Sequence, residues 1–195
     1  MSPPFHVLLV CEGNVCRSPW AEITFRSAWG VTTDADLVAM SAGTHALRGH
    51  RAHPLLESLC ARDEERRQVE RHRSRRVDAR LLREQDLVLV MERRLRADLL
   101  DSWPAALHRT FIIGEVDRLV RLGPPTVEEH GLPLTEVLAR RRRPQDSSAG
   151  DDVDDPVRGT AEDFHHMGDR IGRMTRTIVP FVADVMAADT TRRDR

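Results

Sequence analysis

Apolar residues in this chain gather in short runs, separated by longer segments with a helical repeat. Four of the runs are nearly continuous, as expected for strands that are buried on both faces of a sheet. They lie at Phe5–Val10, Asp36–Met40, Asp86–Met91 and Thr110–Ile113. The pattern therefore predicts four short buried strands.

Between the runs, apolar residues recur at steps of three and four, which is the repeat of an amphipathic helix. One helix is predicted directly after the first strand, one from Pro54, one after Met91 and a long one near the end, which we expect Pro180 to kink or end. The first and last are marked by Ala21, Phe25, Ala28 and Trp29, and by Phe164, Met167, Ile171, Met174 and Ile178.

Strands that alternate with helices favour right-handed crossovers and a parallel sheet. The expected fold class is α/β: a small doubly wound, four-stranded parallel sheet with helices on both faces, of the flavodoxin-like kind. We expect residues 1–188 to form a single domain. The segment near 122–150 is rich in Pro, Gly and charge, and we interpret it as a surface insertion with one short helix, Leu134 to Arg140. Residues 189–195 are expected to be a disordered tail.

The segment after the first strand combines a nucleophile with an anion site. It reads Cys11-Glu12-Gly13-Asn14-Val15-Cys16-Arg17-Ser18-Pro19. The amides of such a tight loop can form a nest for an anion, the helix that follows adds its positive end, and Arg17 offers a planar fork for two phosphate oxygens. The same field favours the thiolate of Cys11, which can attack phosphorus. The loop therefore predicts phosphoryl chemistry through a phosphocysteine, with the Ser18 hydroxyl placed to donate a hydrogen bond to the sulfur.

The composition limits the partners and the cellular location that we expect for this protein. The 195 residues carry 30 basic residues, all Arg, against 31 acidic ones, and the net charge of -1 gives no reason to expect nucleic acid or a membrane as a partner. Three cysteines are an odd number and too few for a secreted disulfide framework. We see no signal peptide in Met1–Val10 and no apolar run long enough to cross a bilayer, so we expect a cytoplasmic protein. The only asparagine of the chain, Asn14, lies inside the loop.

The segment from Val10 to Glu22 resembles the signature of the low-molecular-weight protein-tyrosine phosphatases. Further pieces agree in order and spacing over about residues 5 to 185. Ser41-Ala42-Gly43-Thr44 resembles that family's segment after the second strand, His72 stands where the family often has a histidine, and Asp155-Pro156 resembles its acid loop.

The resemblance implies a role for each matching residue. Cys11 would be the nucleophile, and Arg17 with the amides of residues 12–18 would bind phosphate. Asn14, held by Ser18, Ser41 and His72, would keep the loop in shape. Asp155 would protonate the leaving oxygen and then activate water; Pro156 and the family pattern select it from the carboxylates Asp151, Asp152, Asp154 and Asp155. The resemblance also implies no metal or cofactor, a tyrosine-phosphorylated protein as substrate and, from family habit, a tyrosine kinase as partner.

The chain departs from the family pattern around the phosphotyrosine ring. Aromatic side chains usually wall the slot, whereas the corresponding positions here are Leu47, Val157 and Arg158, and Glu12 replaces the apolar residue that is common after the nucleophile. We call these four residues the rim. Missing stacking, worth about 0.5–1.5 kcal/mol per pair, weakens ring recognition without touching the phosphate chemistry. The apolar Val15 favours the tyrosine branch of the family over the phosphoarginine branch, which tends to have Thr there.

Alternatives remain open. An arsenate reductase on the same scaffold would use Cys11 with a small thiol, and a phosphoarginine phosphatase or a non-catalytic phosphoprotein-binding module would use the same anion site. Cys16 is equally compatible with a protective disulfide to Cys11 and with simple packing, whereas Cys60 is interpreted as a core residue. The run from Arg140 to Arg143 is interpreted as a solvated face.

Overall fold

A computed structural model describes residues 4–33, 35–143 and 149–193 of the chain. Its four strands form one parallel sheet in the order β2-β1-β3-β4. The strands are β1 Phe5–Cys11, β2 Leu37–Gly43, β3 Leu87–Val90 and β4 Thr110–Ile112. The α-helices are α1 Arg17–Thr32, α2 Asp63–Arg71, α3 Ala79–Arg83, α4 Arg93–Ser102, α5 Ile113–Val120, α6 Leu134–Arg141 and α7 Ala161–Arg193.

The central strand β1 shows why helices cover both faces of the sheet. Val7 and Leu9 point into a core shared with α1, α5 and α7, whereas Leu8 and Val10 point into a second core shared with α3 and α4. All four side chains are fully buried, because successive residues of a strand face opposite sides. This confirms the expected doubly wound α/β fold.

Some elements differ from those predicted. The helix expected from Pro54 is a 3-10 helix, Pro54–Leu59, and the three short helices α2, α3 and α5 were not predicted. Pro180 does not end the last helix, which continues through it to Arg193 and so reaches into the segment 189–195 that was expected to be a disordered tail. Pro180 is exposed while Ile178, Val179 and Val182 around it are fully buried, so packing on the other side of the helix outweighs the lost hydrogen bond.

The segment near 122–150 carries the predicted short helix as α6, but this helix is packed into the molecule. Its residues Leu134, Val137 and Leu138 belong to the larger core. Arg141 is only 8% exposed, pairs with Glu129 at 2.6 Å and lies over the ring of Phe181. Arg142 pairs with Glu115 at 2.8 Å and lies over the ring of Phe111. The interpretation of Arg140–Arg143 as a solvated face is therefore wrong for its two central residues; positions 144–148 and 194–195 lie outside the described residues.

Within the parts of the chain that the structure describes, none of the helices combines the length and the hydrophobicity needed to span a bilayer.

Candidate active site

The phosphate loop joins the carboxyl end of β1 to the first turn of α1, where parallel sheets bind their ligands. Cys11 is the last residue of the strand and is 2% exposed. Its Sγ accepts a hydrogen bond from the Asn14 amide at 3.2 Å and lies 3.0 Å from Ser18 Oγ. The amide stabilises the sulfur as a leaving group, whereas the Ser18 hydroxyl is shared between the sulfur and the Ala42 carbonyl, to which it donates at 3.2 Å.

Asn14 holds the loop in its tight turn. Its φ of 53° lies in the left-handed region, where asparagine is better tolerated than most residues. The side chain has no exposed surface: Nδ2 donates to Ser18 Oγ at 3.0 Å and to Ser41 Oγ at 2.9 Å, and Oδ1 accepts from the Arg75 amide at 2.9 Å. Both amide protons and the carbonyl oxygen are thus used, which few other side chains of this size can match.

Further contacts, made by His72 and by the Ser41 hydroxyl, hold Asn14 in place. His72 Nε2 lies 2.8 Å from the Asn14 carbonyl, which can only accept, so this nitrogen carries the proton. Burial lowers the pKa of His72, opposed by that hydrogen bond, and the ring is therefore neutral near pH 7. Ser41 Oγ donates to Glu22 Oε2 at 2.6 Å, a partner that sequence reasoning missed. Glu22 lies one helical turn after Ser18 on α1, so the two residues share a face of the helix. This spacing is the sequence feature that could have pointed to Glu22.

Gly43, at the end of β2, lets the backbone of the second strand approach the loop. A Cβ built on it would lie 2.3 Å from the Glu12 carbonyl oxygen and 2.9 Å from the Asn14 nitrogen. The same neighbourhood is fixed by the Thr44 and His45 amides, which donate to the carbonyls of Cys11 and Glu12, each at 3.0 Å. Only a residue without a side chain fits at position 43.

Arg17 is 1% exposed, and its guanidinium is clamped by groups from distant parts of the chain. Nη1 donates to the Val153 carbonyl at 3.0 Å and to Glu92 at 3.1 Å, while Nη2 donates to Asp155 Oδ2 at 2.6 Å. Nε is buried and has no hydrogen-bond partner among the described residues. A buried cation with a spare donor beside the loop amides is suited to an anion. Glu92, which opens α4, was not predicted as part of the site.

The four neighbouring carboxylates have different places in the structure. Asp151 is 4% exposed and is bound by Arg118 at 3.2 Å, and Asp152 accepts from the Arg93 amide at 2.8 Å. Asp154 is exposed, and Asp155 alone of the four contacts Arg17. The Val157 amide, just after Pro156, donates to Asp155 Oδ1 at 3.2 Å and helps to orient the carboxylate, which is 33% exposed.

Cys16 lies in the loop but has a different environment from Cys11. Burial and the nearby Asp155 raise the pKa of Cys16 to about 12, so it is a thiol at neutral pH. Cys11, Cys16 and Cys60 are all free and buried. In the described part of the chain, no group of three or more His, Cys, Asp or Glu side chains is arranged to hold a metal ion.

Three of the four rim residues are exposed, in contrast to a set of buried residues around the nucleophile that we call the floor: Cys11, Asn14, Arg17, Ser18 and Ser41. Leu47 is 67% and Val157 44% exposed, and Arg158 is exposed as well. Glu12 accepts a hydrogen bond from Arg94 at 2.6 Å, and this contact lowers the pKa of Glu12. Of the sequence-predicted residues, Ser41 and His72 both contact Asn14 next to the nucleophile, whereas the rim residues come from three separate loops.

Comparison with known proteins identifies the family. Residues 6–121 match the family described as low molecular weight phosphotyrosine protein phosphatase. The low molecular weight protein-tyrosine-phosphatase Wzb of Salmonella typhi is 38% identical over 111 residues, which is 57% of this chain and 70% of that protein. The matched region contains Cys11, Arg17, Ser41 and His72 but ends before Asp155.

Solved structures share the fold. The low molecular weight protein tyrosine phosphatase of T. tengcongensis has a TM-score of 0.65 at 24% identity, over 90% of this chain and 97% of that one. The YwlE arginine phosphatase of Geobacillus stearothermophilus has the same TM-score at 18% identity, over 98% of this chain and 97% of that one. Since the family match covers more than half of the chain and includes its nucleophile loop, the chain belongs to the low molecular weight phosphotyrosine protein phosphatases, and it is a cysteine-dependent protein-tyrosine phosphatase.

Proposed function

We propose that Cys11 attacks the phosphorus of a phosphotyrosine side chain in a substrate protein and that water then hydrolyses the phosphocysteine. In the first step an S–P bond forms while the P–O bond to the ring breaks, and the phenolic oxygen takes a proton from Asp155. In the second step water attacks phosphorus, Asp155 takes a proton from it, and the Cys11 sulfur leaves. The products are a free tyrosine side chain and inorganic phosphate.

The proposal rests on one observation: the nucleophile, the anion-binding arginine and the candidate acid lie close together. Ser18 Oγ lies 3.0 Å from the Cys11 sulfur, and Arg17 holds Asp155 at 2.6 Å on the same side of the sheet. An incoming phosphate dianion would compete with Asp155 for Arg17 and, as a like charge, would favour the protonated carboxyl that the first step needs. Ser18 would then stabilise the sulfur when it leaves.

Phosphotyrosine is our choice of substrate over the alternatives. The fold does not distinguish phosphotyrosine from phosphoarginine as the substrate, since the arginine phosphatase and the tyrosine phosphatase match with equal TM-scores. The apolar Val15 and the 38% identical Wzb favour phosphotyrosine. An arsenate reductase has no alcohol leaving group to protonate, and a binding module needs no acid, so the position of Asp155 against Arg17 argues against both. A tyrosine kinase as partner and a cytoplasmic location stay predictions of this proposal.

The test is a substrate panel run on the wild type and Cys11→Ser. We expect hydrolysis of phosphotyrosyl peptide and aryl phosphate, insensitive to chelators, and much slower turnover of phosphoarginine, phosphoserine and arsenate with a small thiol. Cys11→Ser should lose at least about 10³-fold in kcat. Trapping a phosphoenzyme on Cys11 in an Asp155→Ala variant would exclude the binding module. Full activity in Cys11→Ser, or arsenate-dependent thiol consumption above phosphatase activity, would overturn the proposal.

A further inference from the structure

Two segments of the chain, 45–53 and 71–77, carry an unusual local charge. Together they contain six arginines and four histidines but no aspartate or glutamate, in a chain whose net charge is only -1. The arginines are Arg48, Arg51, Arg71, Arg73, Arg75 and Arg76. We call the surface formed by these two segments the basic border.

The two segments form one continuous surface. The Gly49 amide donates to the Ser74 carbonyl and the Ser74 amide donates to the His50 carbonyl, both at 2.8 Å. Ser74 Oγ also donates to the carbonyl of Leu47, the rim residue that lies within segment 45–53. All six arginines of the surface are exposed. Their charges therefore face solvent side by side.

In the described part of the chain, these charges have no carboxylate partner. Elsewhere exposed arginines pair with carboxylates, as Arg80 does with Glu84 and Arg140 with Glu136. No ion pair within 4.0 Å involves an arginine of the basic border among residues 4–33, 35–143 and 149–193. Arg73 donates to the carbonyls of Glu70 and His72, and these contacts leave its charge in place.

The basic border adjoins the phosphate loop. The Arg75 amide donates to Asn14 Oδ1 at 2.9 Å, and the Arg75 carbonyl accepts from the Gly43 amide at 3.0 Å. Arg76 and His45 line a cavity of about 330 Å³ together with Arg94 and Asp98. Thr44, which also lines it, donates its amide to the Cys11 carbonyl. A peptide with its phosphate over Cys11 therefore has this surface within reach of its flanking residues.

We propose that the basic border binds an acidic segment of the substrate protein, next to the phosphorylated residue. This inference rests on the proposed function, and it specifies which substrate proteins the site takes. Guanidinium groups pair with carboxylates through two parallel hydrogen bonds, and complementary charge gives specificity. An acidic peptide supplies both the phosphate for the loop and the carboxylates for the border on one chain, whereas a nucleic acid offers phosphodiesters without a phenolic leaving group.

The test uses two phosphotyrosyl peptides that differ only in flanking charge, one with Asp and Glu and one with Asn and Gln. The wild type should prefer the acidic peptide in kcat/KM, mainly through KM, and salt should weaken the preference. Arg48→Gln/Arg76→Gln should lose about fivefold on the acidic peptide while its turnover of p-nitrophenyl phosphate stays within about twofold of the wild type. Arg48→Glu/Arg76→Glu should weaken the preference more than Arg48→Gln/Arg76→Gln does, because each change also adds a negative charge to the surface.

A matched control removes the same charge elsewhere. Arg83 precedes β3 at the opposite end of the sheet, and Arg176 lies on α7 in a groove with the last turn of α1. Arg83→Gln/Arg176→Gln should keep the preference. Equal losses in both double variants, or equal losses on both peptides, would overturn the inference. So would binding of phosphatidylserine vesicles that Arg48→Gln/Arg76→Gln abolishes while leaving the peptide preference intact. If p-nitrophenyl phosphate is not hydrolysed at all, it is the proposed function that fails.

Discussion

The floor around the nucleophile is buried, whereas most of the rim is exposed. Asn14 and Ser18 have no exposed surface and are hydrogen-bonded to each other, whereas two thirds of Leu47 is exposed. A buried hydrogen-bond network is sensitive to small shifts because water cannot replace a hydrogen bond that is lost. An exposed rim can change its residues at little cost to the fold. The floor should therefore govern the rate of the chemistry, and the rim and its surroundings should govern which substrate is chosen.

Among variants that keep the nucleophile, the largest effect is expected at Asp155, which contacts both Arg17 of the floor and the Val157 amide of the rim. Asp155→Asn should lower kcat by about 10²–10⁴-fold, since the amide cannot donate or take the proton that each step needs. The loss should grow with the basicity of the leaving alcohol, measured across a series of substituted phenyl phosphates. Asp154→Asn is the matched control, because its carboxyl is exposed and one residue away. Equal losses in both variants would contradict the assignment of the acid to Asp155.

A smaller loss of activity is expected from Gly43→Ala, which would displace the phosphate loop without contacting the substrate. The new methyl group would meet the Glu12 carbonyl at 2.3 Å, so the loop or β2 has to move. A displacement near 1 Å at a catalytic group costs up to about 10²-fold, and we expect a kcat/KM loss of that order at most. Gly30→Ala is the control, since nothing lies within 4 Å of its added methyl group. Activity unchanged in Gly43→Ala would show that the floor is less rigid than its contacts indicate.

A still smaller effect, on stability, is expected from His72. Burial lowers its pKa in the folded protein, while the unfolded chain takes up the proton near pH 6.5. The unfolded state then binds more protons, so the contribution of His72 is present above about pH 6.5 and is lost as pH falls below it. The melting temperature of the wild type should fall more between pH 7.5 and 5.5 than that of His72→Gln, which keeps a donor for Asn14. The exposed His50→Gln is the control; equal falls in wild type and His72→Gln would refute the effect.

The sequence predicts features that depend on neighbouring residues better than features that depend on long-range packing. The strands of the sheet and the nucleophile loop are local patterns: β1 is apolar except for His6, and Cys11 and Arg17 stand six residues apart. The sequence does not predict α2 because Val69 is its one apolar residue, nor α3 because it spans only Ala79–Arg83, too short to show a helical repeat. The continuation of α7 through Pro180 depends on packing, which a propensity rule does not include.

The partners of Arg17 could not be predicted from spacing. Glu92 is 75 residues away and Asp155 is 138 residues away, so only the fold brings them together. The link is visible in the structure, where the Val153 amide donates to the Met91 carbonyl at 2.8 Å and fixes the acid loop against the end of β3. Pro156 and the family resemblance select Asp155 among four carboxylates, and its contact with Arg17 adds a geometric argument to the proposal that it is the acid.

The smallest expected effect tests the rim itself. Leu47 is exposed at the position where the family usually has an aromatic wall residue, so Leu47→Trp adds a ring without removing a buried contact. Stacking is worth about 0.5–1.5 kcal/mol, so KM for a phosphotyrosyl peptide should fall about 2- to 12-fold with kcat little changed. Leu47→Met is the control, since it keeps the size without the ring. For a phosphate ester without an aromatic group, Leu47→Trp should change nothing, because the floor that holds the phosphate is untouched. A drop in kcat for both substrates would mean that the loop around Leu47 and the floor move together, through the hydrogen bond from Ser74 to the Leu47 carbonyl, and the separation of floor from rim would fail.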